Sequence, residues 1–219
     1  MTLAHHRSET PATPPVVSLR PGALVIDLRQ PRRVVSSAPF GGGLGWKRYL
    51  ANCTVPIDFH HDDVDTMIRS SLAGHGLASE VTTCALTAVD VRQYRQADAT
   101  EGDVLTSVYI TVGLGNLSAP GLTPLAPRVP GTINVFALVT AELPDAALVE
   151  AVQIVTEVKA RRLAGQTDRD GHAATGTSTD TVTVALLPGP SHRYAGAVTP
   201  VGRALARATD AALALAFPS

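Results

Sequence analysis

Gly131-Thr132-Ile133-Asn134-Val135-Phe136-Ala137-Leu138-Val139, followed after a short break by Pro144-Asp145 and a helical period that runs to Leu163, is the stretch that decides the fold class. Its first part is a nearly continuous apolar run rich in β-branched residues, which reads as a buried strand. The second part starts at a proline and stops at Gly165, the order that helix termini prefer. At 100° per residue, Glu150, Gln153, Glu157 and Arg161 share a polar stripe, while Leu148, Val152, Val155 and Leu163 lie opposite. A buried strand that feeds an amphipathic helix calls for a sheet with a helix packed on it.

Working outward, Thr181–Leu187 reads as another strand, and the helix before it permits parallel pairing. The Gly-Pro loop 188–196 then leads to Thr199-Pro200, an N-cap followed by proline at the first helical position, and a last helix to about Phe217. Upstream, Val81–Val89 and Val104–Gly113 read as strands separated by a polar connection around Ala97–Asp103, which favours an antiparallel pair. A Pro/Gly-rich excursion, Gly113–Pro130, is long enough to cover a pocket. Ala23–Leu28 and Arg33–Ser36 read as a hairpin around the turn Arg29-Gln30-Pro31-Arg32, and Trp46–Val55 as a further strand. Val64, Met67, Ile68 and Leu72 recur at helical spacing behind an Asp62 or Asp63 cap. The expected fold class is α+β: a single domain with a mixed, largely antiparallel sheet packed by about three helices, near 63–74, 145–164 and 200–216.

With 219 residues, 45% hydrophobic and 17% charged, the composition is that of one globular domain of sizeable core. A net charge of −1 and 4% aromatic residues argue against a nucleic-acid or membrane-surface binder, which would concentrate Lys and Arg. Cys53 and Cys84 fit neither a zinc knuckle nor a redox motif and read as reduced packing residues. Met1–Pro15 has no apolar period and reads as a disordered arm without the apolar segment of a signal peptide, so a cytoplasmic protein is expected.

Ser36-Ser37-Ala38-Pro39-Phe40-Gly41-Gly42-Gly43-Leu44-Gly45 offers two hydroxyls and a glycine turn whose amides can converge on an anion or a polarised oxygen. The same glycines suit a loop that needs positive φ or close backbone approach. The spacing matches neither G-x-G-x-x-G nor the P-loop. Asn134, inside an apolar run, must find hydrogen-bond partners and either ties down a loop or faces a ligand. Lys159 falls on the apolar side of its helix, where it snorkels, pairs with an acid, or sits desolvated and ready for proton transfer. Asp58–Asp65 is dense in metal-capable side chains but has no defensible ligand spacing, and helix capping explains its acids. No metal site is expected. Thr175-Gly176-Thr177-Ser178-Thr179-Asp180 is a dense hydrogen-bonding segment that suits either a ligand or a turn into a strand.

Ser36–Gly45, Gly131–Asn134, Thr156–Ala160, Thr175–Asp180, Tyr194-Ala195-Gly196 and Thr199–Gly202, in this order and spacing, resemble the motifs of the adenosylcobinamide amidohydrolases, the CbiZ family. The resemblance spans about Arg33 to Ala212 and implies a single amidohydrolase-like domain over 16–219. It implies hydrolysis of the amide between a corrin side chain and aminopropanol, giving adenosylcobyric acid in cobamide salvage and remodelling. The implied partner is a small-molecule corrinoid that carries its own cobalt, with no further cofactor, no nucleic acid and no membrane. Ser, Thr and Asn side chains suit a ring fringed with carboxamides.

Amide hydrolysis needs a nucleophile, a proton donor for the leaving amine and stabilisation of an oxyanion. The expected catalytic residues are Ser36 or Ser37 as nucleophile, with Glu157 or Lys159 handling protons. Gly41, Gly42 and Gly43 form the oxyanion or substrate nest, and Asn134, Thr177, Thr179 and Asp180 bind or orient substrate. If water attacks, Glu157 or Asp180 is the base instead. The alternatives are a non-catalytic corrinoid- or small-ligand-binding protein, and a hydrolase of a different amide.

Overall fold

Ile133, Val135, Ala137, Val139 and Ala141 pack to one side of a single strand, and Phe136 and Leu138 to the other. The apolar run decided from sequence is therefore buried on both faces. The computed structural model describes residues 13–57, 59, 63–125 and 131–217. In chain order the strands are β1 (Val16–Arg20), β2 (Ala23–Ser36), β3 (Gly43–Thr54), β4 (Thr82–Thr87), β5 (Arg95–Glu101) and β6 (Val104–Val112). They continue with β7 (Leu117–Ser118), β8 (Ile133–Glu142), β9 (Gly176–Thr177) and β10 (Thr181–Ser191). The helices are α1 (Val64–Gly74), α2 (Asp145–Arg162) and α3 (Pro200–Ala216). The large sheet runs β4-β3-β2-β10-β8-β6-β5, with β1 added against β2. Among the described residues only β3 with β4 and β8 with β10 pair in parallel. The class is α+β, with the mixed, largely antiparallel sheet and three helices expected.

The sheet curls on itself. Ile26, Leu28 and Val34 of β2, Leu50 of β3 and Ala85 of β4 pack against Tyr109, Phe136, Leu138 and Ala185 of β6, β8 and β10. On the outer face α2 and α3 cover β6, β8 and β10 through Leu148, Ile154, Val155, Val158, Leu205 and Leu213. α1 covers Ala23, Val25, Ala51 and Cys53 with Ile68 and Leu72. Thr199 caps α3 by accepting from the Gly202 amide at 3.1 Å, and Asp63 caps α1 by accepting from the Thr66 amide at 3.0 Å. Among the described residues no helix is long and apolar enough to cross a membrane.

Four local expectations change. Residues 23–36 form one strand instead of a hairpin: Asp27 pairs with Tyr49 and Arg32 with Lys47, so Arg29-Gln30-Pro31 bulge out of one continuing ladder. Arg29 sits at φ 70°, and its amide is held by the Asp27 carboxylate at 2.8 Å. Residues 95–101 are strand β5, paired with β6; only Ala97, Ala99 and Glu101 in it are half-buried and the others are exposed, which is why the segment reads as a polar connection. β4 consequently pairs with β3 and not with β6. Pro188-Gly189-Pro190 continues β10 past a register shift instead of opening a loop, and Gly189 lies so close to Thr140 that a Cβ there would sit 2.3 Å from its carbonyl oxygen. Residues 1–12 of the expected arm, together with Asp58, His60, His61, Asp62 and the end of the excursion at 126–130, lie outside the described residues.

Candidate active site

The inward faces of the central strands change character along their length. Beyond the apolar cluster, Ser36 (β2), Thr183 and Thr181 (β10), Asn134 (β8) and Thr111 (β6) are all buried polar residues, met from the opposite layer by Asn52 (β3) and Thr83 (β4). Burial of so many polar groups requires mutual hydrogen bonding. Asn134 meets partners on both sides: its Nδ2 donates to Asn52 Oδ1 at 2.9 Å and the Leu86 carbonyl at 2.8 Å, and its Oδ1 accepts from Thr181 at 2.9 Å and faces Thr132 at 3.2 Å. Asn52 passes the chain on to Thr111 at 2.9 Å. Asn134 thus ties the two layers together.

Ser36 is similarly enclosed. Its Oγ lies 2.7 Å from Thr183 Oγ1, accepts from Thr83 Oγ1 at 3.1 Å and from the Ala38 amide at 3.1 Å. No acid, amine or imidazole is among these partners. Ser37 is exposed, and its Oγ accepts from the Val182 amide at 2.9 Å. The following glycines meet a steric demand: a Cβ on Gly41, at φ 62°, would lie 2.2 Å from the Thr82 carbonyl oxygen, and one on Gly42 2.4 Å from that of Ala38. The loop is stitched to the edge of β4 by the Cys84 amide, which donates to the Phe40 carbonyl at 2.9 Å.

The charged corner lies beside this row, where β8 and β10 begin. Lys159 of α2 is buried and forms an ion pair with Asp180, whose side chain is only 9% exposed. Asp180 Oδ2 also accepts from the Thr177 amide at 3.0 Å, while Oδ1 accepts from the Ile133 amide at 2.9 Å and from the Thr177 hydroxyl. Such a network offsets the desolvation of a buried pair. Gly176 makes room for it, since a Cβ there would sit 2.5 Å from Asp180 Oδ2 and 2.9 Å from Lys159 Nζ. Thr179 is exposed, its hydroxyl donates to the Gly131 carbonyl at 3.1 Å, and its own carbonyl accepts from Thr132 at 2.9 Å. Glu157 is exposed on α2 and, two residues from Lys159, points about 200° away around the helix.

The structure therefore brings Ser36, Ser37, Gly131–Asn134, Thr177, Thr179, Asp180 and Lys159 to one end of the central strands, and leaves Glu157 outside that group. Sequence reading did not single out Thr83, Thr181, Thr183, Asn52 or Thr111 as site residues. Thr181 and Thr183 alternate with Val182 and Val184, and that period of two was the signal that could have found them.

The excursion is strapped over the corner. Leu117 pairs with Thr177 and Ser118 with Gly176, and Asn116 Nδ2 donates to Ser178 Oγ at 2.7 Å. Farther along, Thr123 donates to Asp168 Oδ2 at 2.5 Å. Asp168, Asp170 and His172 bring ligand-type atoms within 4.8 Å of one another. The Asp168 oxygens, however, are already engaged by Thr123, by the amides of Asp170 and His172, and by His172 Nδ1. The Thr123 hydroxyl, with those amides, brings the Asp168 carboxyl down to about 2. This carboxylate is a loop anchor.

A cleft of about 610 Å³ opens elsewhere, at the β1–β2 turn and the ends of β3 and β4, lined among others by Arg20, Thr54, Asp90 and Arg92. It contains none of the enclosed hydroxyls, and its Asp90 and Arg92 are already paired with each other. Its wall does approach the corner: Val89 lies between the lining residues Ala88 and Asp90, and a Cβ on Gly113 would be 2.7 Å from it. Cys53 and Cys84 are free buried thiols with sulfurs 3.6 Å apart. Donation from Cys84 lowers the Cys53 thiol and raises its own.

A family model described as adenosylcobinamide amidohydrolase, CbiZ, matches residues 9–218. A Halobacterium salinarum protein named adenosylcobinamide amidohydrolase is 33% identical over 188 residues, 82% of this chain and 78% of that protein. A Methanosarcina mazei protein of the same name is 30% identical over 182 residues, 78% of this chain and 84% of that one.

Proposed function

The chain belongs to the adenosylcobinamide amidohydrolase family, and from that premise we propose that it hydrolyses the amide joining the corrin side chain of adenosylcobinamide to aminopropanol. The products are adenosylcobyric acid and the free amino alcohol. The match over residues 9–218 carries this reading. It treats residues 16–219 as one amidohydrolase-like domain.

The roles follow from chemistry. Gly41–Gly43 supply backbone amides for the oxyanion or for carboxamides of the ring, and Ser37 and Thr179, both exposed, offer hydroxyls to the same fringe. Asp180, paired with Lys159, handles protons at the charged corner, with Thr177 oriented by Asp180. Asn134 and Ser36 hold the floor from beneath. Glu157, exposed on the far side of α2, is the least supported of the expected proton carriers. The cleft beside Val89 gives room for part of a large substrate. The cobalt arrives with that substrate, and no resident cofactor is invoked. The near-neutral charge supports a small-molecule partner and not a nucleic acid, and the two free thiols fit a cytoplasmic setting.

Incubation with adenosylcobinamide and mass analysis for cobyric acid and aminopropanol tests the reaction. Binding without product after long incubation would support a corrinoid-binding protein, and neither binding nor product a hydrolase of another amide.

A further inference from the structure

We infer that Thr177 is the nucleophile of the amide hydrolysis, with Asp180 as its general base and Lys159 as the residue that positions Asp180. This inference rests on the amidohydrolase reading and deepens it. Several hydroxyls stand at this end of the sheet, and their partners separate the two expected serines and Thr177. Ser36 Oγ touches two threonine hydroxyls and an amide. Ser37 Oγ accepts from a backbone amide. Thr177 Oγ1 donates to a carboxylate oxygen of Asp180. A nucleophile needs a base within hydrogen-bond reach and a third group that fixes that base. Thr177 has both, whereas the hydroxyls of Thr132, Thr179 and Thr181 meet only carbonyl or amide oxygens.

The base is unusually well fixed. Asp180 Oδ2 is held by the Lys159 ammonium and the Thr177 amide, and Oδ1 by the Ile133 amide. Of the four hydrogens it receives, three belong to groups that stay put, and the fourth is the proton a nucleophile would surrender. The glycine at 176 supports the same view, because any side chain there would displace the Lys159–Asp180 pair. Thr177 is itself mostly buried beside its pairing with Leu117, which holds its backbone in place.

The chemistry balances in two steps. Thr177 Oγ attacks the amide carbonyl carbon and its proton passes to Asp180. The tetrahedral adduct collapses with cleavage of the C–N bond, and Asp180 returns the proton to the departing nitrogen, which leaves as aminopropanol. Water then attacks the ester carbonyl with Asp180 as base, releasing the corrinoid acid and restoring the Thr177 hydroxyl.

The test uses the full-length chain and two cobyric acid amides that differ only in the leaving amine, aminopropanol and ethanolamine. With hydroxylamine present, a shared acyl-enzyme partitions to hydroxamate and acid in one ratio for both amides, which is the expected result. Ratios that differ more than two-fold between the amides would overturn the inference. Thr177→Ser is expected to keep activity within about thirty-fold, and a folded Thr177→Val to fall at least a thousand-fold in kcat. A Thr177→Val protein within ten-fold of wild type, or a folded Thr177→Ser protein as dead as Thr177→Val, would equally overturn it. If the wild-type protein releases no amine from either amide, it is the hydrolase reading itself that fails.

Discussion

Replacing Lys159 by methionine keeps most of the stem that packs on the core but removes the ammonium from Asp180. The two side chains are each 9% exposed, so water cannot take over the lost contact. Removing one partner of a buried pair costs roughly 3–5 kcal/mol. Asp180 retains the Ile133 amide, the Thr177 amide and the Thr177 hydroxyl, which places the expected loss at the lower end, about 3 kcal/mol. For a domain of this size that corresponds to a fall in Tm of roughly 6–12 °C. Thermal unfolding followed by circular dichroism at pH 7, with a urea titration beside it, reads the change. Lys47→Met is the control: this less buried lysine only reaches the Glu80 carbonyl, at 3.5 Å, and its loss should stay within about 0.5 kcal/mol. A Lys159→Met protein that melts within 2 °C of wild type would refute the claim that the pair is buried and mutually compensating.

Ser36→Ala removes the oxygen that joins Thr83, Thr183 and the Ala38 amide, so it should destabilise by about 1–3 kcal/mol while leaving turnover within ten-fold, as judged by urea midpoints and product release. Gly202→Ala would put a Cβ 2.1 Å from the Gly196 carbonyl oxygen and 2.5 Å from that of Ala195, so the 195–196 loop must shift. A cost of about 1–3 kcal/mol in chemical unfolding is expected. The Asp168 carboxyl titrates at about 2 in the folded chain, below its unfolded value near 4, so the unfolded chain binds the proton first. Its contribution is complete above about pH 4 and is lost as the pH falls towards 2. Asp168→Asn should therefore flatten the acid dependence of unfolding in that window and leave its alkaline limb unchanged.

The elements that could be read from sequence were those whose burial leaves a period. α2 announces itself by Pro144, Gly165 and a two-sided stripe, and α3 by Thr199-Pro200. β5 did not, because a strand whose only half-buried apolar residues are Ala97 and Ala99 carries almost no apolar signal. The β2 bulge was misread for a different reason: Arg29-Gln30-Pro31 has turn composition, and only pairing with β3 across both halves reveals that the strand continues. At the site, the glycines and the Thr175–Asp180 segment stood out by composition. Asn52 and Thr83 did not, since their role is set by partners from strands remote in sequence.

The hydrogen bond between Ser36 and Thr183 joins residues 147 positions apart, and that between Asn52 and Asn134 joins residues 82 apart. During synthesis at roughly 5–20 residues per second, Ser36 therefore waits about 7–30 s before its partner on β10 exists. Until then β2 and β3 must persist with a polar row that only the second half of the chain can satisfy. That end of the sheet is thus completed by the last strand to emerge, and a nascent or truncated chain that stops before β10 has most of the protein's mass but leaves Ser36 without Thr183 and Asn134 without Thr181.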